Sequence, residues 1–204
     1  GGTFENYDPS RGDDHDQPTN FVAEGYKSLQ KGETYVVVPN EVTDVVSSNE
    51  DLDAAISNTE GEATIALGNN AEISLKSGAA NGKSNDFTFI GDGTSTFDVI
   101  SDAVTAEGGE LNYQRGSTFT FQNLTIKAGE GNFDGIVCDE LTYYNCTITG
   151  KLALYGKATF INCTFENDMA NQYSIWTWGG TEVKFEGCTF NTNGKAILLY
   201  GNGP

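Results

Sequence analysis

Four segments of the chain repeat one six-residue pattern: Phe121-Gln122-Asn123-Leu124-Thr125-Ile126, Tyr143-Tyr144-Asn145-Cys146-Thr147-Ile148, Phe160-Ile161-Asn162-Cys163-Thr164-Phe165 and Phe185-Glu186-Gly187-Cys188-Thr189-Phe190. Phe87-Thr88-Phe89-Ile90-Gly91 reads as a degenerate earlier copy. The Leu/Cys position falls at 124, 146, 163 and 188, so the spacings are 22, 17 and 25 residues. A fixed unit separated by variable lengths implies stacked coils whose loops differ in size.

Side-chain parity supplies the geometry. Residues two apart share a face of a straight strand, yet the aromatic and the Leu/Cys of each unit are three apart and both apolar. A bend between them that resets the parity removes the conflict. The residue at that point is Asn123, Asn145, Asn162 or Gly187, and Asn and Gly best tolerate left-handed backbone angles. The inward columns are then Phe121/Tyr143/Phe160/Phe185, Leu124/Cys146/Cys163/Cys188 and Ile126/Ile148/Phe165/Phe190, with Thr125, Thr147, Thr164 and Thr189 facing out. A second strand recurs between units at Gly135-Ile136-Val137-Cys138, Leu152-Ala153-Leu154-Tyr155, Ser174-Ile175-Trp176-Thr177-Trp178 and Ala196-Ile197-Leu198-Leu199-Tyr200. Two or three short parallel strands per coil, with bends between, predict an all-β right-handed parallel β-helix, a solenoid.

One helix is expected, N-terminal to the coils, as a cap on one end of the core. Ser48 is a good N-cap, Glu50 and Asp51 favour the positive first turn, and Leu52, Ala55 and Ile56 form one apolar stripe. This helix runs into Ala63-Thr64-Ile65-Ala66-Leu67, with Phe89-Ile90-Gly91-Asp92-Gly93 after it. Over roughly residues 48–200 the chain resembles the pectin-lyase-like β-helix superfamily, and its repeats resemble those of secreted bacterial surface and adhesin-like proteins. The resemblance implies the fold and a secreted or cell-surface location. It implies little about activity, since lyases, hydrolases and inert binders share the fold.

The organisation expected is a flexible acidic leader over 1–20 and a single β-helix domain over 21–204, with a cap region at about 21–60 and coils at about 61–204. The leader is polar, with Asp8, Asp13, Asp14 and Asp16 between Pro9 and Pro18, and such composition buries too little surface to fold alone. Its Arg11-Gly12-Asp13 tripeptide and its Asp cluster beside His15 read as solvated polar chain rather than as an adhesion motif or a cation site. The net charge of −18 disfavours nucleic acid and anionic lipid, which need a basic face, and no apolar run is long enough to span a membrane.

The four cysteines are expected as buried free thiols. Cys146, Cys163 and Cys188 stand in one column on rungs about 4.8 Å apart with parallel side-chain directions, which strains a disulfide. Asn123, Asn145 and Asn162 each open an Asn-X-Thr sequon, but the match follows from the repeat. An asparagine ladder inside the bends, free of glycans, is expected instead.

No catalytic set emerges. The hydrolases and lyases that the resemblance suggests use clustered Asp carboxylates with basic partners. Here Asp134, Asp139 and Asp168 fall at unrelated phases, and Arg115 has no Asp cluster in register. No pair of carboxylates at a controlled separation can be named. No cofactor and no metal site is expected. An ice-binding face fails on regularity, because the column beside the threonines reads Lys127, Thr149, Glu166, Asn191. What can be named is an aromatic surface: parity sends Ala153, Tyr155, Trp176, Trp178, Leu198 and Tyr200 outward on the second strand. Tyr155, Trp178 and Tyr200 then share a column, with Trp176 beside it, and exposed aromatic ladders bind sugars. Two readings of that surface stand: a glycan or host-surface ligand, or a cover supplied by a loop or another chain.

The leading functional expectation is a non-catalytic exported module for adhesion or glycan binding through Tyr155, Trp176, Trp178 and Tyr200. The alternative is a polysaccharide lyase or glycoside hydrolase whose site is incomplete or lost. The last coil, followed only by Gly201-Asn202-Gly203-Pro204, is expected to be continued by further coils or to meet a second copy in a homodimer.

Overall fold

Alternation of apolar and polar residues over five or six positions makes each long strand one-sided, and only stacking buries that side. In the computed structural model, which describes residues 2–14, 17–99, 111–131, 133–178 and 181–200, the strands stack in parallel into three faces of a β-solenoid. The first face orders Asp44–Val46, Glu62–Leu67, Asp86–Ile90, Thr118–Gln122, Glu140–Tyr144, Lys157–Ile161 and Glu182–Glu186 side by side. The second orders Glu72–Ser74, Thr96–Asp98, Thr125–Lys127, Thr147–Thr149, Thr164–Asn167 and Thr189–Thr192. The third is built from Leu111–Tyr113 with Gly135–Val137, and from Leu152–Leu154 with Tyr173–Thr177 and Lys195–Leu199. The Ala153 amide, donating to the Asp134 carbonyl, joins the two groups.

The expected inward columns are in register. Phe89, Phe121, Tyr143, Phe160 and Phe185 are successive ladder partners, with ring centroids 4.7–5.6 Å apart. Ile126, Ile148, Phe165 and Phe190 form the second-face column. Such side chains each bury some 150–250 Å² and dominate the core. Asn123, Asn145, Asn162 and Gly187 occupy equivalent bends with φ of 54°, 51°, 53° and 65°. The amides of Asn123, Asn145 and Asn162 donate to Tyr144, Ile161 and Glu186 of the following coil. The asparagines stand at the bends as expected. They are exposed on the corner, where the Asn145 side-chain Nδ2 donates to Asn123 Oδ1 at 3.4 Å. The left-handed turn points the side chain away from the core and leaves the inward place to Leu124, Cys146 and Cys163.

At the N-terminal end, helix Asn49–Asn58 is capped by Ser48, whose Oγ accepts from the Asp51 amide, and it buries Leu52, Ala55 and Ile56. At the other end Val183, Phe185, Cys188, Phe190 and Ile197 are only partly buried, and Leu199, inward by parity, is 77% exposed. An inward side chain is covered only where a further coil follows it. Residues 201–204 and His15 lie outside the described residues.

The opening stretch, expected as a flexible leader, carries regular backbone structure. Gly2–Glu5 pairs antiparallel with Thr34–Pro39, which pairs in turn with Tyr26–Lys31. Gly12–Asp14 and Gln17–Thr19 also pair. Backbone groups alone suffice to add an edge strand to an existing hairpin, so a polar composition does not prevent it. This small sheet packs Leu29, Val36 and Val38 near Ala66 and Ile90, outward residues of the first coils.

Candidate ligand-binding face

The third face carries the predicted aromatic residues on its outer side. Ala153 pairs with Trp176, and Trp176 with Leu198. The Trp178 amide donates to Leu154, and the Tyr200 amide to Thr177, which aligns Tyr155, Trp178 and Tyr200 down the coils. Tyr155 and Trp178 stack with centroids 6.2 Å apart and planes 7° apart. Trp176 lies 5.9 Å from Trp178 at 18°, and Tyr200 lies 5.3 Å from it at 60°. All four predicted residues are thus in one continuous cluster.

Outward does not mean open. Ala153, expected on the surface, is 1% exposed. It is a small side chain with Trp176 beside it in register, and the chain just before Gly135–Val137 folds over the same face. Phe133 from that segment packs 5.1 Å from Trp178 at 17°, and the Tyr155 hydroxyl donates to the Phe133 carbonyl at 3.1 Å. Burial holds the Tyr155 hydroxyl above its ordinary pKa. Coils approach closely here: a Cβ on Gly135 would collide with the Ala153 carbonyl. Tyr155, Trp176 and Trp178 are therefore half-buried, while Tyr200 is 49% exposed. The Tyr155, Trp178 and Trp176 rings stack face to face, while Tyr200 is tilted against Trp178. Both indole N–H groups are buried, and the Trp176 donor meets no acceptor among the described residues; an unmet buried donor costs about 1–3 kcal/mol.

Sequence reasoning missed the cations of this face. Lys151 Nζ stands 5.6 Å from the Trp176 ring, Lys195 Nζ 4.9 Å from Tyr173 and the Arg115 guanidinium 5.5 Å from Tyr113. Cation–π pairing is a signal of side-chain direction across a coil, which a linear pattern does not carry. Lys151 is 2% exposed, and its Nζ donates to Gln172 Oε1 at 3.3 Å. Burial pulls its pKa down, while the charge of Asp134 pushes the other way.

The carboxylates singled out in the sequence do not converge. Asp134 is buried and accepts from the Gly131 amide, Asp139 accepts from the Gly116 amide, and Asp168 lies beside Asn193 at another corner. Among the described residues no three His, Cys, Asp or Glu side chains could hold a metal ion, and no helix is long and apolar enough to cross a membrane. The described cysteines are free thiols, with Cys138, Cys146 and Cys163 buried and Cys188 half-buried. A separate cleft of about 710 Å³ lies between the small antiparallel sheet and the first coils, lined by Val36, Val38, Val45, Ala66 and Ile90. Comparison with protein-family models, with curated proteins and with solved structures finds no match.

Proposed function

We propose that this chain is a non-catalytic, exported β-solenoid module of a bacterial surface that binds a glycan on its third face, through Tyr155, Trp176, Trp178 and Tyr200. The reading rests on one observation above the others: both tryptophans of the chain lie in this single in-register cluster. Apolar ring edges contact sugar C–H groups, the exposed Tyr200 ring takes the end of the chain, and Lys195 and Arg115 sit at the margins. Glycan-array binding of the whole chain, compared with Tyr200→Ala and Trp178→Ala, is the test. The expected result is a specific signal that falls about tenfold in either variant, with Tyr200→Ala fully folded. Equal binding by all three proteins sinks the reading. So does release of unsaturated uronides or new reducing ends from any bound polysaccharide, which would identify an enzyme instead.

A further inference from the structure

One amine is placed unlike the rest. Lys151 precedes Leu152–Leu154 on the third face, and its side chain is sealed from solvent. The Trp176 ring lies over it. Burial favours its neutral form, which is the nucleophilic one. Its Nζ lies against the Gln172 carboxamide, 3.3 Å from Oε1. The backbone of Gln172 is anchored on both sides: its amide donates to Met169 and its carbonyl accepts from Lys195 of the next coil. A buried carboxylate, Asp134, acts electrostatically on the same amine, and Asp134 runs alongside Leu152 through the Ala153 amide. Amine and carboxamide are thus in hydrogen-bond contact beneath an aromatic ring, the proximity that amide exchange requires, with a buried carboxylate on the neighbouring strand.

We propose that Lys151 and Gln172 are joined by an intramolecular isopeptide bond that the folded chain forms by itself. The neutral Nζ attacks the Gln172 side-chain carbonyl carbon. The Nζ–Cδ bond forms and the Cδ–Nε2 bond breaks. The proton released by Nζ passes through the Asp134 carboxylate to the leaving nitrogen, which departs as ammonia. No oxidant, metal or cofactor enters the balance. The product replaces a buried cation by a neutral amide, which removes a desolvation cost, and it ties consecutive coils together beneath the aromatic cluster. The inference is independent of the glycan-binding reading.

Mass spectrometry of the intact wild-type chain tests it, with tandem sequencing of its peptides. The expected mass lies one ammonia below that of the sequence, and the peptides containing Lys151 and Gln172 appear as one branched species. Lys151→Met should show its full sequence mass, and Asp134→Asn should close about tenfold more slowly and leave a mixture. Wild-type protein at full mass, with the Lys151 amine and the Gln172 carboxamide both found in linear peptides, overturns the proposal. The wild-type peptides alone separate these outcomes, so a variant that fails to fold does not obscure the result.

Discussion

At the scale of single residues, burial and a hydrogen bond between Cys146 and Cys163 set the thiols, the hydrogen bond holding Cys163 down. Burial pushes the Cys138 thiol up to about 12. Cys146, which shares a hydrogen bond with Cys163 and is itself buried, is also pushed up. Cys188, at the open end, is the half-buried member of the column. Alkylation of native protein should therefore label Cys188 first, and unfolding without reductant should release four thiols. Two or more missing equivalents would show a disulfide. A thiol whose folded pKa is raised contributes stability that is complete below its unfolded value and lost as pH climbs through the folded one. The urea midpoint should thus fall between about pH 9 and about pH 12, and Cys138→Ala should flatten that decline. An identical slope in the variant would place the alkaline transition elsewhere. Phe160, fully buried between Tyr143 and Phe185, should cost about 3–5 kcal/mol as Phe160→Ala. A loss under about 1 kcal/mol would put it on the surface.

At the scale of the coil, the bend is the element that turns a linear repeat into a stack. Its left-handed conformation restricts the choice to Asn or Gly, which is why the bends and inward columns were legible in the residues alone. Asn162→Gly should change stability by less than about 0.5 kcal/mol, whereas Asn162→Ala should cost about 1 kcal/mol. Equal effects in a urea titration would mean that the bend does not require φ of 53°. Parity told which way side chains point but not what covers them. Ala153 is buried where its backbone meets Asp134 and Gly135 closely, and Phe133, from a stretch with no periodicity, packs on Trp178 of the same face. Leu199 is bare because no described coil follows it. A second outward column, Thr64, Thr88, Thr120, Thr142 and Thr159 on the first face, escaped notice because Thr120, Thr142 and Thr159 each precede the aromatic that opens an aligned unit. The N-terminal strands escaped for another reason: their pairing is made by backbone groups, on which composition is silent.

At the scale of the molecule, an acidic solenoid concentrates both tryptophans, and three of its eleven basic residues, on one face. Self-repulsion from the charge of −18 weakens the compact state. Thermal midpoints should accordingly rise as ionic strength goes from about 0.01 M to about 0.15 M, where the Debye length shortens to about 8 Å. A midpoint that falls over this range would indicate that paired charges, such as Lys31 with Asp44 and Asp51, outweigh the repulsion. Function at this scale reduces to whether a ligand reaches the aromatic face. Both tryptophans lie there, so intrinsic indole emission reports on that face alone. Titration of the whole chain with a glycan that it retains on the array should shift or quench this emission along the same saturation curve as binding. Saturable binding that leaves the emission unchanged would place the ligand on another face.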